Sequence, residues 1–491
     1  MVHVVRGRTD SVVVVGAGLA GLSAALHLRG DGHEVTVVDK GEVPGGLAGR
    51  LDLAGHHLDT GPTVLTMPEL LDEALGAVGE TLTDRLELLP LHPAYRAAFA
   101  DGSALDVHTD QAAMEQAITE FAGGTEADGY RRLRRWLTNL YEVQRDRFIG
   151  ANFDSPLDLA GRDLVALAAM GGFGRLDSAV GRYLRDPRLR RVFTFQSLYA
   201  GVAPGDALAA YAVIAYMDTV AGVWFPRGGM HAVPTALAAA AEAAGVRFVH
   251  GAEVVALERS GDRVTAVRTD ADRFPCDALV LATGPAQSTR LLRGGPRRPL
   301  ALRWSPSAVV VHLSADRVTD EVAHHTISFG GAWESTFDEI IAQGRLMSDP
   351  SLLLTTPTLT DPDLAPPGKH TQFLLAPCPN LDAAAIDWEA VGPRYAEEVV
   401  EEVVRRKLVG STADVTRLAV VTPDDWARAG QAAGTPFSAA HTFAQTGPFR
   451  PRNLPFRHGN VVLAGSGTTP GVGIPPVLIS GRLAAQRLRR A

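Results

Sequence analysis

The sequence predicts an α/β fold that contains a dinucleotide-binding domain with a parallel sheet, and three stretches carry this prediction. Residues 11–39 read as strand, glycine turn, helix and strand, residues 278–284 as a buried strand and a glycine turn, and residues 460–488 as strand, glycine-rich loop and helix. Strands buried in a parallel sheet are continuous apolar runs, and the strands of the first two stretches are of this kind. Since the stretches lie far apart in the chain, the predicted domain is discontinuous.

The turn in the first stretch reads GAGLAG over residues 16–21, a GxGxxG motif between a strand and a helix. Gly16 permits the sharp turn, Gly18 lets the backbone approach a pyrophosphate, and Gly21 lets the helix and the strand pack without a Cβ between them. The free N–H groups of the first helical turn, with the positive end of the helix dipole, suit the phosphates. Asp39 follows the second strand at about the 20-residue spacing expected of an acid that accepts hydrogen bonds from an adenosine ribose.

Composition and charge restrict the class of protein. The chain has 491 residues, 46% of them hydrophobic and 21% charged, which is typical of a soluble globular protein of roughly two to three structural units. The net charge of -8 argues against a nucleic-acid partner. Cys276 and Cys378 are far apart and have no ligand-spaced histidines, so the sequence predicts neither a disulfide framework nor a metal site and favours a cytoplasmic chain. A signal peptide or membrane span over residues 11–28 is the alternative, but the glycines and serines there argue against it.

Two further glycine clusters follow the acidic end of the second strand. Pro44-Gly45-Gly46 comes directly after it, and the sequence DTGPT covers residues 59–63. Paired glycines at this point place bare backbone where a cofactor can lie, and two surface turns are the alternative interpretation.

The middle of the chain is predicted to be mainly helical over residues 70–86 and 109–140. Two basic sets tipped with aromatic residues occur there, at residues 131–137 and 182–193. A basic, aromatic-tipped helical region on an acidic protein suits contact with a membrane surface, whereas solvated helix faces are the alternative.

Several other stretches are predicted from pattern alone. The apolar stretches 164–173 and 207–217 are too short to span a membrane, and their periodicity favours core over the lining of an apolar cavity. A helix is predicted for residues 231–244, closed by Gly245, and the Pro-rich stretch 356–369 is predicted to be an exposed loop.

The C-terminal stretch predicts a second site for an anion or an electron-rich group. A strand at residues 460–464 leads into a glycine-rich loop at residues 465–473, and a helix follows with Pro475 and Pro476 suited to its first turn. A loop that feeds a helix N-terminus in this way can face the electron-rich pyrimidine edge of a flavin.

These motifs, in this order and over the whole chain, resemble the bacterial-type phytoene desaturases, which are FAD-dependent carotenoid desaturases of the amine-oxidase-like flavoprotein superfamily. The resemblance rests on GxGxxG, Asp39, PGG, DTGPT, GVWFPRGGM at residues 222–230, LVLATG and GSGTTPGVGIPPV, and it is strongest toward the actinobacterial members. One position departs from the family, which commonly has Arg directly after the paired glycines where this chain has Leu47. Arg50 is the nearby residue that would supply that contact.

The resemblance implies a Rossmann-type FAD-binding domain made of residues 1–85, 222–300 and 441–491. It implies an inserted α+β substrate domain made of residues 86–221 and 301–440, with a helical, membrane-associated part. Its implied cofactor contacts are Gly16, Gly18, Leu19, Ala20, Gly21, Asp39, Lys40, Gly45, Gly46, Arg50, Gly61, Pro62, Thr63, Val254, Thr283, Gly284, Gly465, Ser466, Gly473 and Ile474. The family's substrate is the long polyene phytoene, desaturated toward lycopene. Oxygen or a quinone is the implied electron acceptor, and the implied location is cytoplasmic and peripheral to the membrane.

Desaturation of a polyene removes a hydride and a proton, so the chemistry needs a flavin and at most a weak base rather than a catalytic triad. Asp158 is one candidate base, with Arg162 placed on the same face if both lie on one helix, although an ordinary surface ion pair also explains that spacing. Asp218, next to an apolar run, is the other candidate.

Two alternatives to the function of a phytoene desaturase stay open. One is another FAD-dependent carotenoid enzyme, such as an isomerase, ketolase or later desaturase, and the other is a non-catalytic isoprenoid-binding protein on the same scaffold.

Overall fold

The structure is a computed structural model that describes residues 3–295 and 301–489. Its strands are β1 (Ser11–Val15), β2 (Glu34–Val38), β3 (Arg50–Leu53), β4 (His56–Asp59), β5 (Leu88–Pro90), β6 (Tyr95–Phe99), β7 (Ala104–Val107), β8 (Trp224–Pro226), β9 (Arg247–Val249), β10 (Ala256–Ser260), β11 (Arg263–Arg268), β12 (Arg273–Pro275), β13 (Ala278–Leu281), β14 (Ser307–Ala315), β15 (His325–Phe329), β16 (Leu352–Thr355), β17 (His370–Cys378), β18 (Val415–Val421) and β19 (Val461–Leu463).

The α-helices are α1 (Leu19–Gly30), α2 (Glu69–Gly76), α3 (Leu82–Arg85), α4 (Gln111–Ala122), α5 (Gly124–Gln144), α6 (Arg162–Ala169), α7 (Leu176–Val180), α8 (Pro187–Val192), α9 (Ala212–Tyr216), α10 (Ala232–Ala243), α11 (Pro285–Leu292), α12 (Glu334–Ile341), α13 (Trp388–Arg405), α14 (Pro423–Arg428) and α15 (Ile474–Leu488). Short 3-10 or π turns cover Arg145–Ile149, Pro156–Leu159, Phe195–Leu198, Ala209–Tyr211, Met217–Ala221, Pro357–Leu359, Pro362–Leu364, Thr412–Asp414, Ala432–Gly434, Phe443–Gln445 and Gly447–Phe449.

A five-stranded parallel sheet has the order β19-β13-β1-β2-β9. Its strands come from residues 11–38, 247–281 and 461–463, so the α/β fold and the joining of distant stretches in one sheet are confirmed. Val12 and Val14 are fully buried because helices cover one face of the sheet and a β-layer covers the other. Helices α1 and α15 pack closely, with the Cβ position of Gly481 only 2.3 Å from the carbonyl oxygen of Ala20.

A second, seven-stranded sheet has the order β18-β14-β17-β16-β15-β6-β7 and is antiparallel except where β6 pairs with β15. One face carries Val309 and Val311 and packs against α13. The opposite face carries Val310 and Phe373, which pack with Leu47. Because Leu47 directly follows the paired glycines, this second face of the sheet looks toward the nucleotide-binding segments.

The two predicted basic sets are partly neutralised within the fold, and contact with a membrane through them stays a prediction. Arg131 pairs with Glu115 and Asp128, and Arg188 pairs with Asp186 and Asp101. The aromatic tips are core residues: Trp136 is 8% exposed and Phe193 is fully buried. Arg132, Arg135, Arg182 and Arg185 stay exposed, so each set combines paired arginines with exposed ones.

Two further expectations are wrong in detail. Stretch 164–173 is not simply core, because α6 buries Leu167 but leaves Val165 69% exposed and the following turn leaves Phe173 46% exposed. The Pro-rich stretch 356–369 is only partly an exposed loop, because Thr356 and Asp361, which precede its two 3-10 turns, are buried, whereas residues 367–369 are exposed. By contrast, most residues of 207–217 are buried, and α10 occupies the predicted helix, so those predictions are confirmed.

The division into an FAD-binding domain and an inserted substrate domain stays a prediction. The structure links the predicted segments by β5 pairing with β8 and by the packing of Leu47 on β14 and β17. The predicted boundaries at residues 1, 300 and 491 lie outside the described residues. Within residues 3–295 and 301–489, no helix is both long enough and apolar enough to cross a membrane.

Candidate functional site

The carboxyl ends of four parallel strands meet at one edge of the five-stranded sheet. Gly16 directly follows β1 and Asp39 directly follows β2, while Thr283 and Gly465 each come one residue further on, after β13 and β19. The crevice outside the carboxyl ends of parallel strands is where open α/β sheets bind ligands. The structure therefore brings the predicted glycine turns together.

The turn after β1 requires glycine at two positions. Gly16 has φ +109°, and a Cβ there would lie 2.8 Å from the carbonyl oxygen of Ala282, beyond the end of β13. A Cβ on Gly21 would lie 1.9 Å from the carbonyl oxygen of Gly16. Gly18 is different, since a Cβ there would have only ordinary contacts, at 3.9 Å. Packing within the protein therefore does not require glycine at position 18. A ligand that approaches this backbone closely would require it.

The first turn of α1 presents Leu19 and Ala20 directly after Gly18, with no side chain capping the helix. Among the described residues, no acid lies in this first turn, so the N–H groups and the positive end of the dipole are available to phosphate oxygens.

Asp39 joins the turn after β1 to the chain that follows β2. Its carboxylate accepts hydrogen bonds from the backbone N–H of Ala17 and of Gly41, both at 2.6 Å. Lys40 is exposed beside it, and Val254 is buried against the ends of β1 and β2. The predicted adenosine end of the site is therefore assembled, and the contact of Asp39 with a ribose stays a prediction.

The PGG and DTGPT clusters lie against the first turn. The N–H of Gly45 donates to the carbonyl of Ala17 at 2.9 Å, and Gly45 forms a β-bridge with Gly18. A Cβ on Gly61 would lie 2.0 Å from the carbonyl oxygen of Leu47, so the two clusters touch through bare backbone. Gly46, Pro62 and Thr63 are in the same segments, and Thr63 is 7% exposed.

Arg50 is not directed at the glycine turns. It begins β3, pairs with Asp52 at 2.9 Å, and its side chain is 39% exposed. The position after the paired glycines is filled instead by the apolar Leu47, which packs on the seven-stranded sheet. The contact of Arg50 with a flavin stays a prediction.

Asp59, which sequence reasoning did not select, holds the GVWFPRGGM segment in place. Its carboxylate accepts hydrogen bonds from the N–H groups of Met230 at 3.0 Å and His231 at 3.3 Å. Burial raises the pKa of Asp59 to about 6. The sequence shows Asp59 as the acid of DTGPT. It does not show that Asp59 accepts hydrogen bonds from Met230 and His231, because the two segments are far apart in the chain.

The C-terminal glycine loop lies beside the first helix. A Cβ on Gly465 would be 3.8 Å from the Cβ of Ala20, and its N–H donates to the hydroxyl of Ser480 at 3.0 Å. Gly473, with φ +109°, is the N-cap of α15, and Ile474 begins that helix and is 4% exposed. On the other side, Gly284 is the N-cap of α11, and Thr283 bonds Ser288 at 2.9 Å. The loop and the GxGxxG turn thus line one crevice.

A buried arginine that sequence reasoning missed supports this loop. Arg450 is 2% exposed and donates to the carbonyls of Thr468 at 3.0 Å, Ala439 at 3.2 Å and Ser466 at 2.6 Å. Charge-assisted bonds to three carbonyls fix the backbone more firmly than neutral ones. Arg450 therefore positions the loop that carries Ser466.

These residues fit an adenine dinucleotide cofactor. Bare backbone at Gly18 and Gly46, free N–H groups on α1, an acid after β2 and the N-terminus of α15 are the features that a pyrophosphate, a ribose and a flavin ring need. The space next to these glycines is open because they have no side chain, and larger residues at the same positions would fill it.

An apolar cavity of about 80 Å³ lies on the face of the seven-stranded sheet that looks toward Leu47. Its lining includes no charged side chain: the floor has Ile327, Leu353 and Leu375, and the opposite wall, here called the roof, is residues 195–199. Leu375 also packs with the cluster around Leu47, so the cavity adjoins the nucleotide-binding segments.

Asp218 lies behind the roof. It is 7% exposed, its Oδ2 accepts a hydrogen bond from Nε2 of Gln196 at 3.3 Å, and its Oδ1 has no partner among the described residues. Burial raises the pKa of Asp218 to about 7. Burial, and after it the charge of Asp218, raises the pKa of Tyr199, a residue that lines the cavity.

Asp158 and Arg162 do not share a helix, so that expectation is wrong. Asp158 lies in the 3-10 turn 156–159, where its carboxylate accepts from the N–H groups of Asp154 and Ser155 at 2.8 and 3.0 Å. These backbone bonds lower the pKa of Asp158, and the residue is exposed. Arg162 begins the next helix and is exposed too. Asp158 therefore caps the start of its 3-10 turn at the surface, away from the cavity.

The fold and the site define a flavin-dependent oxidoreductase. The family of flavin containing amine oxidoreductases matches residues 19–489, and this chain belongs to it. The cofactor is accordingly FAD, and the protein is an enzyme.

Individual relatives cover almost the whole chain. A phytoene dehydrogenase of Streptomyces griseus is 63% identical over 99% of this chain and 96% of its own length. A zeta-carotene-forming phytoene desaturase of Myxococcus xanthus is 34% identical over 97% of this chain and 93% of its own, and a lycopene-forming one of a Paracoccus species is 32% identical over 97% and 96%. These likenesses confirm the resemblance found in the motifs.

Among solved structures, a variant of putrescine oxidase has a TM-score of 0.62 with 16% identity, covering 98% of this chain and 99% of its own. At this identity the likeness concerns the fold alone, and it confirms the flavoprotein α/β architecture.

Proposed function

We propose that this enzyme desaturates phytoene toward lycopene. The observation that carries the proposal is the 63% identity, over 99% of the chain, to a protein named phytoene dehydrogenase. The cavity supports it independently, because its lining is mainly aliphatic and aromatic, which suits a hydrocarbon, and includes no charged side chain to pair with an amine. The lycopene end point is the finer part of the proposal, since the similar proteins named above differ in their product.

The bound flavin supplies a hydride acceptor for the oxidation of two neighbouring saturated carbons. The chain's own residues supply the surroundings. The apolar floor and roof exclude water, and the alkenes of the substrate delocalise the positive charge that hydride loss leaves. A proton must then leave the adjacent carbon as the new double bond forms. We propose that the carboxylate of Asp218 takes this proton, because it is the buried acid beside the roof and its Oδ1 is unoccupied by any described donor.

The cavity is smaller than the substrate. A volume of about 80 Å³ holds only a short length of hydrocarbon, so the roof has to move for a polyene to enter. The roof is a single 3-10 turn, Phe195–Leu198, with Tyr199 after it, and such a short element can shift without unfolding a long helix.

The proposed function is tested with the FAD-loaded protein and liposomes that contain phytoene. We expect bands at longer wavelength to appear, because each added conjugated double bond shifts the absorption to the red, and chromatography identifies the product. Running the assay without oxygen, with and without an added quinone, identifies the acceptor, which we propose to be one of these two. FAD-loaded protein that leaves phytoene unchanged under every acceptor condition contradicts the proposal.

We also propose that the protein works at a membrane surface, from the cytoplasmic side. The support is an exposed apolar patch, defined as Leu157, Val165 and Phe173, with exposures of 80%, 69% and 46%. Exposed apolar side chains of this size within one stretch of a protein that takes up a hydrocarbon are expected at a lipid contact. Acids and bases alternate around the patch, since Arg147 pairs with Asp163, so we expect apolar insertion rather than attraction to anionic lipid.

Changing all three patch residues to Ser is expected to release the protein from phosphatidylcholine vesicles in a flotation assay. Burial of such side chains contributes roughly 1.5–3 kcal/mol each, so the three together contribute about 4.5 kcal/mol or more and vesicle affinity should fall by about 10³-fold or more. The variant with Leu359 changed to Ser, another exposed leucine at 45%, should float like the unchanged protein. Equal flotation of the triple variant, or release of the unchanged protein by salt, would contradict contact through this patch.

A further inference from the structure

His441 lies between the glycine-rich loop at residues 465–473 and the segments that form the roof of the cavity. Its imidazole ring packs against Gly471, where a Cβ would lie 2.3 Å from its Cε1 and 2.6 Å from its Nε2. Gly471 has φ +150°, so the loop reaches this position with bare backbone that a side chain would disturb. The ring and the loop are therefore in direct contact.

The same residue is bonded to the residue that follows the roof and to the segment that leads into α9. Its Nδ1 is 2.9 Å from the hydroxyl of Tyr211, and the two rings meet edge to face at 5.2 Å. Its backbone N–H donates to the carbonyl of Ala200 at 2.7 Å. Ala200 follows the roof directly, and Tyr211 leads into α9, which runs toward Asp218. A displacement of the roof therefore reaches His441 through its hydrogen bond to Ala200, and a displacement of α9 reaches it through Tyr211.

The imidazole of His441 is uncharged, and the segment around it is held in place by hydrogen bonds. Burial and the nearby Arg450 keep the pKa of His441 well below its ordinary value, so the ring is neutral. Arg450 also donates to Ala439, two residues before His441, and to Ser466 and Thr468 of the loop. The loop and the segment around His441 are thus held as one unit by the guanidinium, while Tyr211 and Ala200 belong to the part that the substrate has to move.

We propose that His441 is a positioning residue that couples entry of hydrocarbon under the roof to the flavin held at the loop and at the N-terminus of α15. This inference rests on the proposed function, because it takes a hydrocarbon as the ligand of the cavity. The coupling is thermodynamic: if opening the roof shifts the loop, hydrocarbon changes the affinity for FAD, and FAD changes the affinity for hydrocarbon by the same factor.

The test uses the full-length protein and squalane, a saturated hydrocarbon that can occupy the cavity without being oxidised. The dissociation constant of FAD is measured from flavin fluorescence with phosphatidylcholine vesicles that contain squalane and with vesicles that lack it. For the unchanged protein we expect the two constants to differ by roughly 5- to 150-fold.

The variant Tyr211→Phe removes only the hydroxyl, so it is expected to fold and to bind both ligands while the coupling factor falls toward 1 by roughly 2- to 12-fold. His441→Leu should reduce the factor further, and His441→Gln, whose amide can still bond the tyrosine hydroxyl, should restore part of it. Tyr141→Phe is the matched control, because Tyr141 stacks on Tyr216 at 4.4 Å away from the loop, and it should leave the factor unchanged.

A factor of 1 in the unchanged protein overturns the inference, and so does a factor that Tyr211→Phe and His441→Leu leave as it was. Protein that binds squalane with coupling but does not oxidise phytoene contradicts the proposed function alone. Protein that does not bind squalane contradicts both.

Discussion

Changing Asp218 to Asn is expected to slow phytoene oxidation by about 10²- to 10⁴-fold, the usual contribution of a positioned general base. Asn keeps the shape and the bond to Gln196 but cannot take a proton. Flavin reduction is followed after anaerobic mixing with phytoene liposomes, and FAD content is measured for each variant. Asp218→Glu keeps the carboxyl group and should retain part of the rate. Asp361→Asn, at a buried carboxylate that accepts from the N–H of Gly228 and has no bond to the roof, is the matched control and should change the rate little.

The pH dependence gives a second measurement of the same group. Because burial raises the pKa of Asp218 to about 7, the carboxylate forms as the pH rises through 7, and the rate of the unchanged enzyme should rise with it. Gln196, Tyr95 and Tyr199 are the groups that face this carboxyl, and the two tyrosines stay protonated over the range because burial raises the pKa of each. A rate without an inflection near neutral pH, or an Asp218→Asn variant whose rate stays within about threefold of the unchanged rate, would exclude Asp218 as the base.

Whereas the oxidation rate should rise as the pH rises through 7, the free energy of unfolding of the protein should fall. A carboxyl whose folded pKa lies above its unfolded value stabilises the fold fully below the unfolded pKa, and this stabilisation is lost as the pH rises through the folded pKa of about 7. The free energy of unfolding of the unchanged protein should therefore fall relative to that of Asp218→Asn between about pH 4 and pH 7. Urea unfolding at several pH values measures it. A variant that is less stable than the unchanged protein at pH 8 would show that the carboxylate is needed for folding instead.

The second large effect concerns substitutions at two glycines of one motif. We expect one to weaken FAD binding and the other to destabilise the fold. Gly18→Ala is expected to leave the apoprotein as stable as before, because the new Cβ meets nothing closer than 3.9 Å and the residue already has φ -74°. FAD affinity should nevertheless fall by about 5- to 150-fold, the equivalent of about 1–3 kcal/mol of overpacking where the pyrophosphate approaches. Gly21→Ala should lose about 3 kcal/mol or more of stability, since its Cβ would stand 1.9 Å from the carbonyl oxygen of Gly16.

Urea unfolding of the apoproteins and fluorescence titration with FAD separate the two cases. Gly76→Ala serves as the control, because Gly76 is helical and a Cβ there meets nothing within 4 Å, so stability should stay equal or rise by up to about 1 kcal/mol. Unchanged FAD affinity in Gly18→Ala would show that the cofactor's phosphates do not approach Gly18.

Much of the nucleotide-binding edge was predictable because its requirements are local. The positions of Gly16 and Gly21 follow from a turn that needs positive φ and from a helix that approaches a strand without a Cβ, and both are visible in a six-residue motif. The strands of the parallel sheet are continuous apolar runs, which periodicity detects. Likewise, the α/β class followed from the alternation of such runs with glycine turns.

The environment of charged and apolar side chains was not predictable in the same way. Arg131 and Arg188 looked like a membrane-facing set until Glu115 and Asp101, from other elements, neutralised them. The exposed patch at Val165 and the burial of Asp361 were missed for the same reason, because exposure depends on which distant element covers a segment. Periodicity within a helix identifies its apolar face but not whether another element packs on it.

The sequence by itself determined the glycine turns at the ends of the parallel strands and predicted a dinucleotide there, because glycine conformation and strand apolarity are properties of neighbouring residues. Only the tertiary structure decided that Asp218 rather than Asp158 lies beside the apolar cavity, that Arg450 supports the glycine loop, and that His441 joins this loop to the roof. Each of these depends on a partner far away in the chain, since burial and hydrogen bonding are set by what packs against a residue and not by its neighbours in sequence.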